Sequence, residues 1–283
     1  MRQNSLADVI YINMAPPATG GFNTISDHER KVVFFNNALC WMHKRYDPDY
    51  VFIACNTLSV LLPETPWAKK YATKIEGIVS VGSDFLIQAL TGDPDREVIL
   101  LATPTTVSAQ IYPSRIRNAG FQQKIHSQPC PELATTISND SEGKKISAMI
   151  HQFAQEVLGN MDKSTRLIIF LGCTHYGYRE GLFEQVFHEL GYPHVSIMNP
   201  NPVAVQSILS RVSRLASCSG SVTVAFVTGY APPENEIRTI SGYLAGVSGK
   251  TVEALKNYQL NGDIFHDQEE CDSGVPKLDS ESA

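Results

Sequence analysis

The sequence contains no apolar stretch approaching the ~20 residues a membrane-crossing helix needs. Its opening, MRQNSLADVIYINM, has no apolar core followed by a small-residue cleavage site, so a soluble, cytoplasmic protein is expected. Cysteine is sparse: the six residues Cys40, Cys55, Cys130, Cys173, Cys218 and Cys271 are spread over 283 positions. That density excludes a disulfide scaffold and makes reduced thiols the default. Charge of one sign is also in short supply, with a net charge of -6 and no basic excess of the kind that grips nucleic acid. No histidine pair has metal-site spacing in a matching context, so no metal is expected. The glycine signals TGG (19–21) and GSDFL (82–86) are too short for a phosphate loop.

What the chain does have is a 43% hydrophobic content and more length than the ~150 residues of a typical domain. Strand-length apolar runs alternate with longer amphipathic segments. The candidate strands are VIYIN (9–13), YVFIA (50–54), GIVSV (77–81), EVILLA (97–102), QKIHS (123–127), RLIIFLG (166–172), HVSIM (194–198) and VTVAFVTG (222–229). Their near-continuous Val, Ile and Leu content suits strands covered on both faces. The clearest helix start is Ser26-Asp27-His28-Glu29, with Ser26 capping the first turn and Glu29 reaching back to it. Cys40 falls inside that helix and reads as core. Residues 261–283 are acidic and aperiodic and are expected to form a disordered tail. A layered, mostly parallel α/β architecture follows.

Two stretches echo one another. VFIACNTLS (51–59) and IIFLGCTHY (168–176) each run from an apolar strand through a small residue to a cysteine and then polar residues. In an open α/β sheet, the carboxyl end of a strand is where ligand crevices form, so Cys55 and Cys173 are expected to face one cleft. A thiol beside a helix N-terminus or a histidine has its thiolate favoured and becomes a usable base. Two such thiols on opposite sides of one carbon can remove a proton from one face and return one to the other, inverting the centre. Asn56, Thr57 and Thr174 can hold the adjoining carboxylate, and His175 can assist Cys173. Taken singly, Cys55 also reads as a small core residue, and Cys173-Thr-His175 as a thiol nucleophile with its activating imidazole. Neither reading accounts for both cysteine motifs.

ACNT (54–57) together with LGCTHY (171–176), their cysteines 118 residues apart, resembles the paired signature of the aspartate/glutamate racemases. The second motif is similar to the glutamate racemase form, since aspartate racemases usually carry a glutamate where His175 stands. The resemblance implies two similar α/β domains with mostly parallel sheets and the active site in the cleft between them. The expected domains are 1–96 with 207–260, and 97–206. It implies a cofactor-independent racemase with Cys55 and Cys173 as paired bases, His175 beside them, and Asn56, Thr57 and Thr174 as substrate contacts. TPTTV (103–107) is less closely similar to the family's threonine loop and adds Thr103 and Thr106. Further implications are a small acidic amino acid as substrate, glutamate or aspartate, and a homodimer. A supply of D-glutamate for peptidoglycan also follows, with no nucleic acid or membrane partner.

Three departures accompany the likeness. The family's first strand, ending in Asp-Ser-Gly, has no counterpart in MRQNSLADVIYIN, either because this start is an internal methionine or because the protein has diverged; Asp272-Ser273-Gly274 follows no apolar strand. APPATGGFNT (15–24) stands where the family has a Pro-Tyr-Gly loop, and Gly177 replaces a proline, which is expected to loosen a helix start. The rival readings are a homologue that binds a ligand without turning it over and a thioester-forming hydrolase.

Overall fold

EVILLA (97–102) and LIIFLG (167–172) have no polar alternation, so as strands they need cover on both faces. They have it in the computed structural model, which describes residues 5–15, 21–121, 125–215 and 221–266. Val98 to Ala102 and Leu167 to Leu171 are all at most 1% exposed.

The chain runs β1 (Ser5–Asn13), α1 (His28–Tyr46), β2 (Val51–Ile53), α2 (Asn56–Leu61), α3 (Pro66–Lys70), β3 (Ile75–Gly77), α4 (Ile78–Gly92) and β4 (Glu97–Ala102). It continues through α5 (Pro104–Ser108), α6 (Ile111–Asn118), β5 (Ile125–Pro129), α7 (Leu133–Asn139), α8 (Lys144–Leu158), β6 (Leu167–Gly172) and a 3-10 segment (Thr174–Arg179). It closes with α9 (Glu180–Glu189), β7 (Val195–Met198), α10 (Asn201–Leu215), β8 (Ser221–Thr228), α11 (Glu234–Leu244), α12 (Gly249–Lys256) and β9 (Gln259–Leu260).

These elements group into two compact units. The first comprises residues 1–52, 61–76 and 208–283, and the second 53–60 and 77–207. Residues 53–60 and 77–96, expected with the first domain, cluster with the second unit. The reason is packing: a Cβ on Gly82 of α4 would lie 3.1 Å from the Phe170 ring of β6, so this helix is pressed onto the β6 sheet.

The second unit holds a four-stranded sheet in the order β5-β4-β6-β7, every pair parallel. β4 and β6 run in register from Glu97 opposite Leu167 to Ala102 opposite Gly172. Gly172 is required there, since a Cβ would come within 2.8 Å of Ala102 Cβ and Leu100 Cδ1. The first unit holds the sheet β1-β8-β9, with β8 parallel to both neighbours and Val9, Tyr11 and Asn13 opposite Val224, Phe226 and Thr228. Strands β2 and β3 form a separate pair. Mixed helices and parallel strands thus give the α/β class.

Several expectations change. GIVSV (77–81) is not a strand: only Gly77 ends β3, and Ile78 onward is α4, whose buried Ile78, Gly82, Leu86 and Leu90 recur every fourth residue. A five-residue apolar run does not distinguish strand from helix; here the Ser59 Oγ accepts from Val79 N at 3.2 Å and fixes the first turn. The cap of α1 is Asp27, whose carboxylate accepts from Arg30 N at 3.0 Å, while Ser26 is exposed one residue outside. Residues 261–266 are ordered. Ile264 and Phe265 are buried, the Phe265 ring meets Phe34 of α1 edge-on at 5.9 Å, and its carbonyl accepts from Asn37 Nδ2 at 3.5 Å.

Cys40 is buried as expected but disulfide-bonded rather than reduced, a pairing that spacing along the chain does not reveal. Cys55, Cys130 and Cys173 are free thiols. The start of the chain, the centre of APPATGGFNT, Gln123 and Lys124 of QKIHS, Cys218, Cys271, Asp272-Ser273-Gly274 and the tail beyond His266 lie outside the described residues. Among the described residues no helix is long and apolar enough to cross a membrane.

Candidate active site

All eight residues singled out from the sequence, Cys55, Asn56, Thr57, Thr103, Thr106, Cys173, Thr174 and His175, lie in the second unit. Each cysteine occupies the same kind of position. β2 ends at Ile53, and Cys55 directly precedes α2, its carbonyl accepting from Ser59 N at 2.8 Å. β6 ends at Gly172, and Cys173 directly precedes the 3-10 segment, its carbonyl accepting from Tyr176 N at 3.0 Å. The apolar strands therefore stop where the thiols begin.

The two thiols differ in access. Cys55 is exposed and Cys173 is 7% exposed. Both resist ionisation. Dense surroundings raise the Cys55 pKa although the residue reaches solvent, opposed by hydrogen bonds from the Leu58 and Thr57 backbone and the Thr57 hydroxyl. Burial pushes Cys173 up to about 12, followed by the charge on Cys55; the backbone N–H groups of His175 and Tyr176 act in the opposite direction. Two thiols that repel each other's ionisation cannot readily both be thiolate, so a single ionisation leaves one base and one proton donor.

His175 places Nδ1 3.9 Å from the Cys173 sulfur, and desolvation lowers its pKa, holding the ring neutral. A neutral imidazole can accept or relay a proton without adding charge. From the Cys55 element a chain of hydroxyls runs to the start of α5. Thr57 Oγ1 meets Thr103 Oγ1 at 2.8 Å, and Thr103 Oγ1 meets Thr106 Oγ1 at 2.9 Å, all three buried. Thr103 directly precedes α5, so β4 delivers it as β2 and β6 deliver the cysteines.

Three contributors had no motif to mark them. Tyr112 of α6, fully buried, donates its hydroxyl to Asn56 Oδ1 at 2.7 Å. Asn201, at the start of α10, donates Nδ2 to the Thr174 carbonyl at 2.9 Å. Cys130, following β5, is a buried third thiol whose ionisation is opposed by burial and then by Cys173. None has a signal in local sequence, because each acts through residues distant along the chain. Gly177 also has a different role from the one expected. A Cβ there would come within 2.7 Å of Asn201 Nδ2 and 2.8 Å of Asn199 Nδ2, so glycine makes room for the asparagines after β7. No group of three or more His, Cys, Asp or Glu able to hold a metal ion occurs among the described residues.

No family model matches the chain. Curated relatives do. It is 25% identical over 162 residues to a glutamate racemase from Streptococcus mutans, covering 56% of this chain and 55% of that protein. It is 28% identical over 190 residues to a glutamate racemase from Cereibacter sphaeroides, covering 62% and 66%. The chain thus spans about half to two thirds of these relatives' length. Solved structures share the fold over more of the chain. The glutamate racemase of Francisella tularensis, in complex with D-glutamate, aligns with a TM-score of 0.63 at 17% identity over 84% of both chains. That of Thermus thermophilus aligns with a TM-score of 0.62 at 19% identity, covering 87% of this chain and 84% of the other. With strand ends carrying its thiols and a parallel α/β fold, the chain is similar in sequence to the glutamate racemases and shares their fold.

Proposed function

We propose that this chain is a cofactor-independent amino-acid racemase that interconverts L- and D-glutamate using Cys55 and Cys173 as the two bases. The observation that carries the reading is the placement of two free thiols, Cys55 and Cys173, each just after a strand end, directly before a helical segment, and within one unit. The names of the relatives and the D-glutamate held by the Francisella tularensis protein support glutamate as the substrate.

In one direction a thiolate takes the α-proton, and its electron pair is left on the α-carbon and spread into the carboxylate. The other cysteine, still protonated, gives its proton to the opposite face and becomes the thiolate. Atoms and charge balance, and the roles exchange in the reverse direction. Asn56, Thr57, Thr103, Thr106 and Thr174 hold the substrate carboxylates, and neutral His175 steadies Cys173. A homodimer, a cytoplasmic location and a supply of D-glutamate for peptidoglycan belong to the same reading. Aspartate is the alternative substrate.

The test is incubation of the purified chain with L-glutamate in deuterated water, following isotope entering the α-position and D-glutamate appearing. Absence of exchange with glutamate and with aspartate, from folded protein, overturns the racemase reading. A second reading, ligand binding without turnover, is favoured by the raised pKa of both thiols, which keeps them protonated at rest. Glutamate binding by calorimetry without isotope exchange selects it, whereas an acyl group trapped on Cys173 alone selects the hydrolase.

A further inference from the structure

Asn56 directly follows Cys55 and is 2% exposed. Its Oδ1 accepts from the Tyr112 hydroxyl at 2.7 Å, while its Nδ2 is buried without a hydrogen-bond partner among the described residues. A buried amide donor left unmet is costly, and a site that keeps one has a use for it. With the amide oxygen accepting from the phenol, Nδ2 is the end of the amide turned away from Tyr112.

Tyr112 is itself held from two sides. Its ring packs against Phe170 of β6 at 5.0 Å between centroids, and its hydroxyl fills the space over Gly82 of α4, where a Cβ would come within 2.9 Å. Burial raises its pKa, so the phenol stays protonated and is free to donate. The hydroxyl therefore dictates which end of the Asn56 amide points toward Tyr112 and which points away.

We propose that Tyr112 is a positioning residue that fixes the Asn56 amide so that its N–H group is presented to a substrate carboxylate beside Cys55. This deepens the racemase reading and rests on it for the identity of the ligand. Tyr112 acts through Asn56, so its removal weakens binding before it affects proton transfer.

The experiment compares Tyr112→Phe, Asn56→Ala and the double variant, with Tyr192→Phe as control. Tyr192 is a buried tyrosine of the same unit whose hydroxyl donates to the Met161 carbonyl at 2.7 Å. Tyr112→Phe is expected to raise KM for glutamate about 10-fold while kcat changes less than about 3-fold, the pattern of lost ground-state binding. The double variant is expected to match Asn56→Ala, because the two residues form one unit. Tyr192→Phe is expected to lower Tm with KM unchanged.

An unchanged KM in Tyr112→Phe, or independent effects that multiply in the double variant, overturns the proposal. Asn56→Asp keeps the acceptor for Tyr112 and lacks the donor; it gives the second measurement if Tyr112→Phe does not fold, and an unchanged KM there overturns the proposal as well. If the wild-type protein exchanges no isotope, the racemase reading fails, and the positioning role is read by NMR instead. The side-chain amide signals of Asn56, assigned by their loss in Asn56→Ala, are expected to shift in Tyr112→Phe; unshifted signals overturn the proposal.

Discussion

Cys55 and Cys173 carry the same chemical group in different surroundings, one open to solvent and one 7% exposed. Substituting either by serine replaces a polarizable base with a far weaker one. Cys55→Ser and Cys173→Ser are each expected to lower racemisation by about 10²–10⁴-fold, with α-proton exchange surviving only from the face the remaining thiol serves. Chiral chromatography alongside deuterium incorporation checks this. The pH dependence has a definite sign. Burial raises both thiols, so the thiolate is scarce near neutrality and grows as pH rises toward and beyond the ordinary thiol value of about 9. kcat/KM in the free protein is therefore expected to climb across the neutral to mildly alkaline range, and a plateau already below neutral pH excludes a thiolate base.

Elements come together where side chains are missing. Gly172 lets β6 approach β4, and Gly177 lets the 3-10 segment accept Asn199 and Asn201. Gly177→Ala is expected to destabilise the protein by about 1–3 kcal/mol, since the added methyl meets Asn201 Nδ2 at 2.7 Å. Urea unfolding measures it. Because Asn201 donates to the Thr174 carbonyl, the same variant should also displace that turn and reduce activity. The helix at Ile78 makes a related point. VSV in GIVSV satisfies a strand pattern as well as a helix pattern, and the bond from Val79 N to Ser59 Oγ belongs to the tertiary structure.

Across the whole molecule, the parallel sheets carry the core, and the segment 261–266 completes the first unit. Phe265→Ala removes a ring buried against Phe34 and is expected to cost about 3–5 kcal/mol, read as a lowered Tm or denaturation midpoint. Within the second unit, the amides of Val98–Leu101 and Ile168–Leu171 are expected to exchange most slowly with deuterium, since β4 and β6 are covered on both faces. The sequence alone determined the two central strands of that sheet, β4 and β6, because EVILLA and LIIFLG are apolar almost throughout and need cover on both faces. It also determined the two strand-end thiols, because a cysteine followed by small polar residues after such a run is a local pattern. The tertiary structure decided the rest: the α4 helix, the Asp27 cap, the Cys40 disulfide and the docked Phe265. It alone brought Tyr112 to Asn56, 56 residues apart along the chain. Local pattern reports which faces need covering, whereas which distant group covers them, and which buried donor is left without a partner, is settled only when the elements pack.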